Sequence, residues 1–196
     1  FNWDSNITSI TVDEQNTVYD SRNNCNAIIE TSTNKLISGC TNKIIQNTVK
    51  KIGDYAFGNC NSLTSISIPE GVAVIDAYTF YWCTALESID VPSSLTRIGN
   101  HAFEHCEKLE SIEIPDGVQM IGQRAFFACD ALTSIRIPGS ATNIGADALA
   151  ACENLAAIDV DASNTSYISV DSVLFDKEQE TIICYPAKKA ATSYVI

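Results

Sequence analysis

Residues 49–71 read VKKIGDYAFGNCNSLTSISIPEG, the first of five consecutive copies of one 23-residue pattern. The copies share V-x-x-I-G-x-x-A-F-x-x-C-x-x-L-x-S-I-x-I-P-x-x and are copy 1 (Val49–Gly71), copy 2 (Val72–Ser94), copy 3 (Leu95–Gly117), copy 4 (Val118–Ser140) and copy 5 (Ala141–Ser163). A fixed period of this length is typical of a solenoid. One copy offers about seven apolar side chains, worth roughly 1.5–3 kcal/mol each when buried, whereas ordering its backbone costs roughly 1–2 kcal/mol per residue. The copies therefore fold only when they stack on one another.

Each copy divides into a strand and a more compact middle segment. The tail, for example Ser65–Ile68, alternates polar and apolar residues as a short strand with one buried face does, and Pro69 ends it. In the middle, Ala56, Phe57 and Cys60 have the spacing of a helical turn with one face inward. The pattern therefore predicts an α/β solenoid, with short parallel strands on the concave side and short helical turns on the convex side.

A second motif lies on either side of the five copies. Its two occurrences pair Ile10–Asp13 with Ile158–Asp161, Ala27–Glu30 with Val173–Asp176, and Leu36–Ile37 with Ile182–Ile183. In each occurrence two apolar runs enclose a polar loop, which predicts a β-hairpin. We expect one domain over residues 1–196, made of a partial repeat (1–12), a hairpin insert (13–48), five full repeats (49–163) and a second hairpin insert (164–196). Both ends lie inside a repeat, so we expect a segment of a longer protein.

The pattern I-G-x-x-A-F-x-x-C-x-x-L-x-S-I-x-I-P, clear from Ile98 to Cys106, closely resembles the BspA-like leucine-rich repeat family of bacterial surface proteins. Copy 5 departs from it, because Leu149 replaces the phenylalanine and Asp161 replaces the proline. The resemblance implies a leucine-rich repeat fold in an exported protein, extracellular or at the cell surface. It also implies adhesion, since some members bind host matrix proteins or other cells.

Composition and motifs argue against several classes of function. The net charge of −12 makes nucleic acid and anionic membranes poor partners. The sequence contains no run of 18 apolar residues, so we do not expect membrane insertion.

Residues His101–His105 match the zinc-protease motif H-x-x-E-H, but Ala102 and Phe103 belong to the repeat. The convex surface of a solenoid offers neither a third ligand nor an enclosed cleft. We therefore expect solvated histidines and an outward Glu104, with no enzyme activity, cofactor or metal site.

Five of the eight cysteines occupy one position of the pattern: Cys60, Cys83, Cys106, Cys129 and Cys152. A metal or redox ladder is one interpretation, but identical positions in a stack point in parallel, which is poor disulfide geometry. We expect buried free thiols instead. In the first hairpin, a turn centred between Ser32 and Thr33 places Cys25 opposite Cys40, with Cβ atoms about 4.5–5.5 Å apart. This pair is a disulfide candidate, whereas Cys184 has no obvious partner.

Two surfaces are candidate binding sites for a protein or glycan. The concave candidates are polar or charged strand residues: Ser65, Ser67, Ser88, Asp90, Ser111, Glu113, Ser134 and Arg136. The convex candidates are aromatic residues that the pattern does not require: Tyr78, Tyr81, Trp82 and Phe127. The family resemblance favours the concave face, and residue chemistry favours the convex face. We expect binding on the concave face, because the aromatic residues could instead pack within the chain, and keep the convex face as the alternative. We expect a monomeric adhesion module for a host or microbial surface protein, matrix protein or glycan; the alternative is a structural spacer in a larger surface protein.

Overall fold

A computed structural model describes residues 7–39 and 45–189. The described chain is a β-solenoid of about 5 turns, and its helical structure is limited to one 3-10 turn at Arg22–Asn24. In chain order the strands are β1 (Tyr19–Asp20), β2 (Ala27–Glu30), β3 (Lys35–Gly39), β4 (Lys51–Ile52), β5 (Ser65–Ser67), β6 (Val74–Ile75), β7 (Ser88–Asp90), β8 (Arg97–Ile98), β9 (Met120–Ile121), β10 (Ser134–Ile137), β11 (Asn143–Ile144), β12 (Ala157–Val160), β13 (Tyr167–Val170), β14 (Val173–Asp176) and β15 (Ile182–Cys184).

The largest sheet runs through the V-x-x-I segment of every copy, to which the sequence analysis assigned no strand. Its eight strands lie in the order β1-β2-β3-β4-β6-β8-β9-β11. From β4 onward the pairing is parallel and joins equivalent residues of successive copies, as Ile52 with Ile75 and Ile75 with Ile98. Each copy contributes only two residues to this sheet, and so short a strand leaves no alternating pattern to read.

The predicted strands at the S-I-x-I tail are confirmed in four of the five copies. Strand β5 pairs with β7, and β10 pairs with β12, both in parallel and in register. In copy 3, residues 111–114 keep the alternation of exposed and buried side chains but form no strand. On the side of copy 2, acidic residues oppose strand pairing, because Glu110 and Glu113 of copy 3 take the positions of Glu87 and Asp90. Like charges stacked opposite each other weaken strand pairing.

The predicted helical turns, and with them the α/β class, are not confirmed. An α-helix needs each N–H to bond four residues back, but the N–H groups of Tyr55, Phe57 and Asn59 donate to carbonyl oxygens of copy 2 over 3.2, 2.9 and 2.7 Å. The alternate N–H groups, of Ala56 and Gly58, bond three residues back. The middle segments are therefore chains of tight turns, and copies 2, 3 and 4 bond to their successors in the same way.

The core is a set of columns in which one position of the pattern repeats through the stack. Phe57, Phe80, Phe103 and Phe126 form a stacked column, with ring centroids 5.2–5.3 Å apart and interplanar angles of at most 9°. The isoleucines and leucines of each copy are buried around this column. Each phenylalanine thus covers the face of the next, which is how stacking removes apolar surface from water.

A β-hairpin covers each end of the stack, as the sequence predicted. Strands β2 and β3 pair antiparallel, and β3 then continues the large sheet by pairing in parallel with β4. Strands β13, β14 and β15 form a separate antiparallel sheet. This sheet bonds to copy 5, where the Tyr167 hydroxyl accepts from the Ile144 N–H at 2.9 Å and the Ser172 carbonyl accepts from the Ile158 N–H at 3.1 Å. Within the described ranges, no helix has the length and apolar character needed to cross a bilayer.

The phenylalanine column should dominate stability. We expect Phe103→Ala to lower the free energy of unfolding by about 3–5 kcal/mol, because it removes a fully buried ring that contacts two neighbours. The exposed Glu110 of the same copy is a matched control, and Glu110→Ala should change it by less than about 0.5 kcal/mol. Denaturant melts measure both variants. Equal effects would show that the inward and outward positions are misassigned.

Candidate binding surfaces

Seven rings from the middle segments of copies 1 to 4 form one continuous surface, here called the aromatic face: Tyr55, Tyr78, Tyr81, Trp82, His101, His105 and Phe127. Two positions of each copy have positive φ, and they hold five of these rings: Tyr55, Tyr78, Trp82, His101 and His105. Positive φ is uncommon for bulky residues. The inter-copy hydrogen bonds of the same segment hold this backbone, so the rings recur at the spacing of the copies.

One column of the aromatic face is tightly stacked. Tyr55, Tyr78 and His101 lie face to face, with centroids 4.5 Å apart at each step and interplanar angles of 4° and 2°. Tyr81 meets Tyr55 and Tyr78 edge-on, at 6.4 and 5.5 Å. Burial within this group raises the pKa of the Tyr55 hydroxyl. Because stacking covers the ring faces, the column presents ring edges and hydroxyl groups to a partner.

The second column contains Trp82, the most exposed ring of the aromatic face. Trp82 is 38% exposed and stacks on His105 with centroids 4.3 Å apart. His105 in turn meets Phe127 edge-on at 6.0 Å, and the Arg124 guanidinium lies 4.8 Å above the Phe127 ring. A guanidinium over an aromatic face is a favourable cation–π arrangement.

The structure brings together all four predicted aromatic residues, Tyr78, Tyr81, Trp82 and Phe127, through direct ring contacts or through His105. Tyr55, which was not among the predicted residues, extends the stack by one copy. A column search would have found it, because Tyr55, Tyr78 and His101 stand at one position of the pattern.

The expectation of an outward Glu104 is wrong, and the side chains of His101 and His105 are half-buried. Glu104 is only 6% exposed, and its carboxylate contacts Nδ1 of His101. His105 Nδ1 lies 3.8 Å from Glu107 Oε1. The outward assignment assumed a helix, but in a chain of turns the side chain at this position packs against the neighbouring ring columns. In the described ranges, no three His, Cys, Asp or Glu side chains are grouped as metal ligands would be.

The second surface, here called the strand face, consists of the eight predicted residues Ser65, Ser67, Ser88, Asp90, Ser111, Glu113, Ser134 and Arg136. Ser65 is half-buried and the other seven are exposed; Ser111 and Glu113 lie outside regular strand. Arg136 is already engaged, because its guanidinium bonds to Asp116 at 3.0 Å and also to Asp161. These bonds raise the pKa of Arg136. The Ser163 hydroxyl and N–H, followed by Arg136, hold the pKa of Asp161 at about 2.

Beneath the aromatic face, the cysteine column is a thiol-to-carbonyl ladder. Each Sγ lies 3.0–3.2 Å from the carbonyl oxygen of the phenylalanine in the preceding copy, for Cys83, Cys106, Cys129 and Cys152. Cys184 continues the ladder from the second hairpin, with its Sγ 3.9 Å from the Leu149 carbonyl oxygen. Burial raises the pKa of Cys83, Cys106 and Cys129 well above 9.0 and that of Cys152 to about 12. The column thus contains protonated thiols.

The candidate disulfide stays a prediction, because Cys40 lies outside the described residues. Cys25 is buried, and its Sγ lies 3.8 Å from the Ala27 carbonyl oxygen. A bulge in the β2–β3 pairing shifts the register by one residue at Ile28, which pairs with Ser38. The predicted pairing of Cys25 with Cys40 requires a regular hairpin without this bulge.

Comparison with known proteins places these features in a wider group. The family described as "BspA type Leucine rich repeat region" matches the chain in six copies over residues 28–156. Among curated protein sequences, none matches this chain significantly.

Solved structures share the fold. A leucine-rich cell surface protein from Faecalibacterium prausnitzii is 30% identical, with a TM-score of 0.57 over 79% of this chain and 47% of that chain. The pneumococcal vaccine antigen PcpA is 27% identical, with a TM-score of 0.70 over 82% of this chain and 42% of that one. The leucine-rich repeat protein TpLRR of T. pallidum is 27% identical, with a TM-score of 0.59 over 76% and 71%. The chain thus spans less than half of the first two structures.

Burial of Glu104 generates a stability prediction. Glu104→Ala should lower the free energy of unfolding by about 1–3 kcal/mol, because it leaves the half-buried His101 nitrogen without its partner. Glu104→Gln keeps an acceptor of similar size and should have a smaller effect. Thermal or denaturant melts of both variants measure the difference. Wild-type stability in both would restore the outward assignment.

The thiol ladder generates a pH prediction. The folded state keeps these thiol protons at pH values where the unfolded chain, with an ordinary pKa of 9.0, loses them. Stability should therefore be constant with respect to these groups below that value and fall as the pH rises above it. Denaturant melts from pH 7 to 10 measure the slope, and Cys106→Ser, which cannot ionise there, should reduce it. An unchanged slope in this variant would contradict burial of the Cys106 proton.

Proposed function

Because the chain belongs to the BspA-type leucine-rich repeat family, we propose that it is a non-catalytic adhesion module at the outside of a bacterial cell. In this proposal it binds a host or microbial protein or glycan over an extended surface of the solenoid. The printed description of the Faecalibacterium prausnitzii relative as a cell surface protein supports the location. The aromatic face is the observation that carries the binding role.

The rings of the aromatic face are not needed to build the repeat. The position of Tyr81 holds Gly58 in copy 1 and Ala150 in copy 5, and the position of Trp82 holds Ala128 in copy 4. The fold therefore tolerates small residues there, although copies 2 to 4 carry large rings in contact. Tyr and Trp are enriched among the residues that dominate binding energy at protein interfaces. This contrast supports a binding role for the array.

The shape of the solenoid supports a macromolecular partner. The aromatic face crosses four copies, and its rings contact one another within and between the two columns. Two clefts, of about 270 and 310 Å³, are lined by residues of copy 5 with the second hairpin and by residues 11–23. An extended surface of contacting rings suits a protein or an oligosaccharide better than a small ligand.

The strand face is the competing surface, and its charged residues support opposite conclusions. Asp90 and Glu113 are exposed in adjacent copies and could meet a basic partner. Arg136, however, is held by Asp116 and Asp161 within the chain, so a partner would have to displace existing ion pairs. We therefore favour the aromatic face. The spacer alternative needs neither surface.

Two alanine variants separate these possibilities. The aromatic-face variant replaces Tyr81 and Trp82, and the strand-face variant replaces Ser88, Asp90 and Glu113; denaturant melts first establish that both fold. Binding is measured to immobilised matrix proteins, mucin glycans and cultured host cells. We expect the aromatic-face variant to weaken binding by roughly 30-fold or more, as loss of a dominant interface residue does, and the strand-face variant to bind like the wild type.

The reverse result would move the site to the strand face. Retention of binding by both variants, or no binding by the wild-type chain to any of the three probes, would favour the spacer.

A further inference from the structure

Copy 2 departs from the repeat at two buried polar residues beside the aromatic face. Asp76 stands where the other four copies have glycine, and Thr79 stands where they have alanine. Asp76 is only 6% exposed, and Thr79 is fully buried. At Gly99 and Gly122, which hold the position of Asp76 in copies 3 and 4, an added Cβ would lie 2.7 and 2.5 Å from backbone atoms of the preceding copy. Glycine is thus the residue that close stacking favours at this position, and copy 2 carries a charged side chain instead.

The Asp76 carboxylate is bound on both sides by basic residues of the neighbouring copies. Its Oδ2 lies 3.5 Å from Lys51 Nζ of copy 1, and its Oδ1 accepts from the Arg97 guanidinium of copy 3 at 3.2 Å. Both cations are about half-exposed, whereas the carboxylate between them is buried. Because a buried charge is stable only when it is paired, these three side chains form one unit, here called the ionic clamp.

The ionic clamp spans the same three copies as the stacked column of the aromatic face. The rings of Tyr55, Tyr78 and His101 belong to copies 1, 2 and 3, and each follows the clamp residue of its own copy by two or four positions. Both features end at copy 3. In copies 4 and 5 the same positions hold Met120 and Asn143 in place of the basic residues, and Arg124 and Asp147 in place of the rings.

A short and well-bonded backbone segment joins the clamp to the ring of copy 2. Only Ala77 lies between Asp76 and Tyr78, and its N–H donates to Asp54 Oδ1 of copy 1 at 3.1 Å. The Thr79 hydroxyl donates to the Asp76 carbonyl oxygen at 2.8 Å. The segment is therefore held at the carboxylate and at the backbone, and a displacement of Asp76 would displace the ring.

We infer that Asp76 is a positioning residue of the aromatic face: through the ionic clamp it aligns copies 1 to 3 so that the rings of the first column stack face to face. The phenylalanine column and the hydrogen bonds between middle segments are common to copies 1 to 4. The clamp occurs only where the rings stack. For its effect on binding, the inference rests on the proposed function.

The test variant is Asp76→Gly, which restores the residue of the other four copies and should therefore fold. The chain has two histidines, so their imidazole C–H resonances can be assigned in proton NMR spectra at constant pH. The Tyr78 ring lies 4.5 Å from that of His101 and shifts its resonance upfield. Asp76→Gly should move this resonance toward its position in the unfolded chain. The resonance of His105, which stacks on Trp82 in the other column, should move less.

Binding to immobilised matrix proteins, mucin glycans and cultured host cells is the second measurement. Asp76→Gly should weaken the binding that the wild type shows by roughly tenfold, as loss of a coupled charge network does. Arg97→Met should have a similar effect in the wild-type chain and no further effect in the Asp76→Gly chain, where the clamp is already broken.

The matched control is Ile112→Val, which removes one buried methyl group from copy 3 outside the clamp. It should lower the unfolding midpoint and leave both the His101 resonance and binding unchanged.

An unchanged His101 resonance in the Asp76→Gly chain would overturn the inference, and so would additive effects of Asp76→Gly and Arg97→Met on binding. An equal loss of binding in Ile112→Val would also overturn it, because general destabilisation would then explain the result. If the wild type binds none of the three probes, the proposed function fails, and the NMR measurement alone decides whether the clamp positions the rings.

Discussion

The structure depends on one requirement, that alternate N–H groups of the middle segments in copies 1 to 4 find their acceptors in the next copy. Three N–H groups per copy, such as those of Tyr78, Phe80 and Trp82, donate across the interface to copy 3. The phenylalanine rings stack across the same interface at 5.2–5.3 Å. Hydrogen bonding and apolar burial thus both depend on the same distance between neighbouring copies. Neither can be lost in one copy without disturbing the copies on both sides.

The same requirement produces the aromatic face. The inter-copy bonds hold two residues of every copy at positive φ, a conformation that bulky side chains rarely adopt alone. Tyr78 and His101 are therefore placed at equal heights on successive copies and stack at 4.5 Å. The rings of this array are in contact in the chain by itself, and a preformed array loses less entropy on binding. A preformed array of Tyr and Trp on a repeating backbone is the physical basis of the proposed adhesion role.

The features that follow from the 23-residue period could be predicted from the sequence. The middle segment could not, because a helical turn and a chain of tight turns have the same spacing of apolar residues. The inward Phe57 and Cys60, the strand at Ser65–Ser67 and both hairpins follow from the order of apolar residues. The helical turn did not, because spacings of one and three suit a helix and also a chain of turns. Glu104 was misplaced for the same reason, since its outward position assumed helical geometry. The strand at Lys51–Ile52 is too short to show an alternation of polar and apolar residues, and the hairpin bulge has no sequence signal.

The central claim is that the middle segments are held by their successors and not by internal helical bonds. Native-state amide hydrogen exchange tests it residue by residue. The N–H groups of Phe57, Phe80 and Phe103 should exchange only through global unfolding, because they donate to the next copy. That of Leu149, the same position in copy 5, has no acceptor among the described residues and should exchange rapidly. Equal protection at all four positions, as a self-contained helical turn would give, would contradict the account.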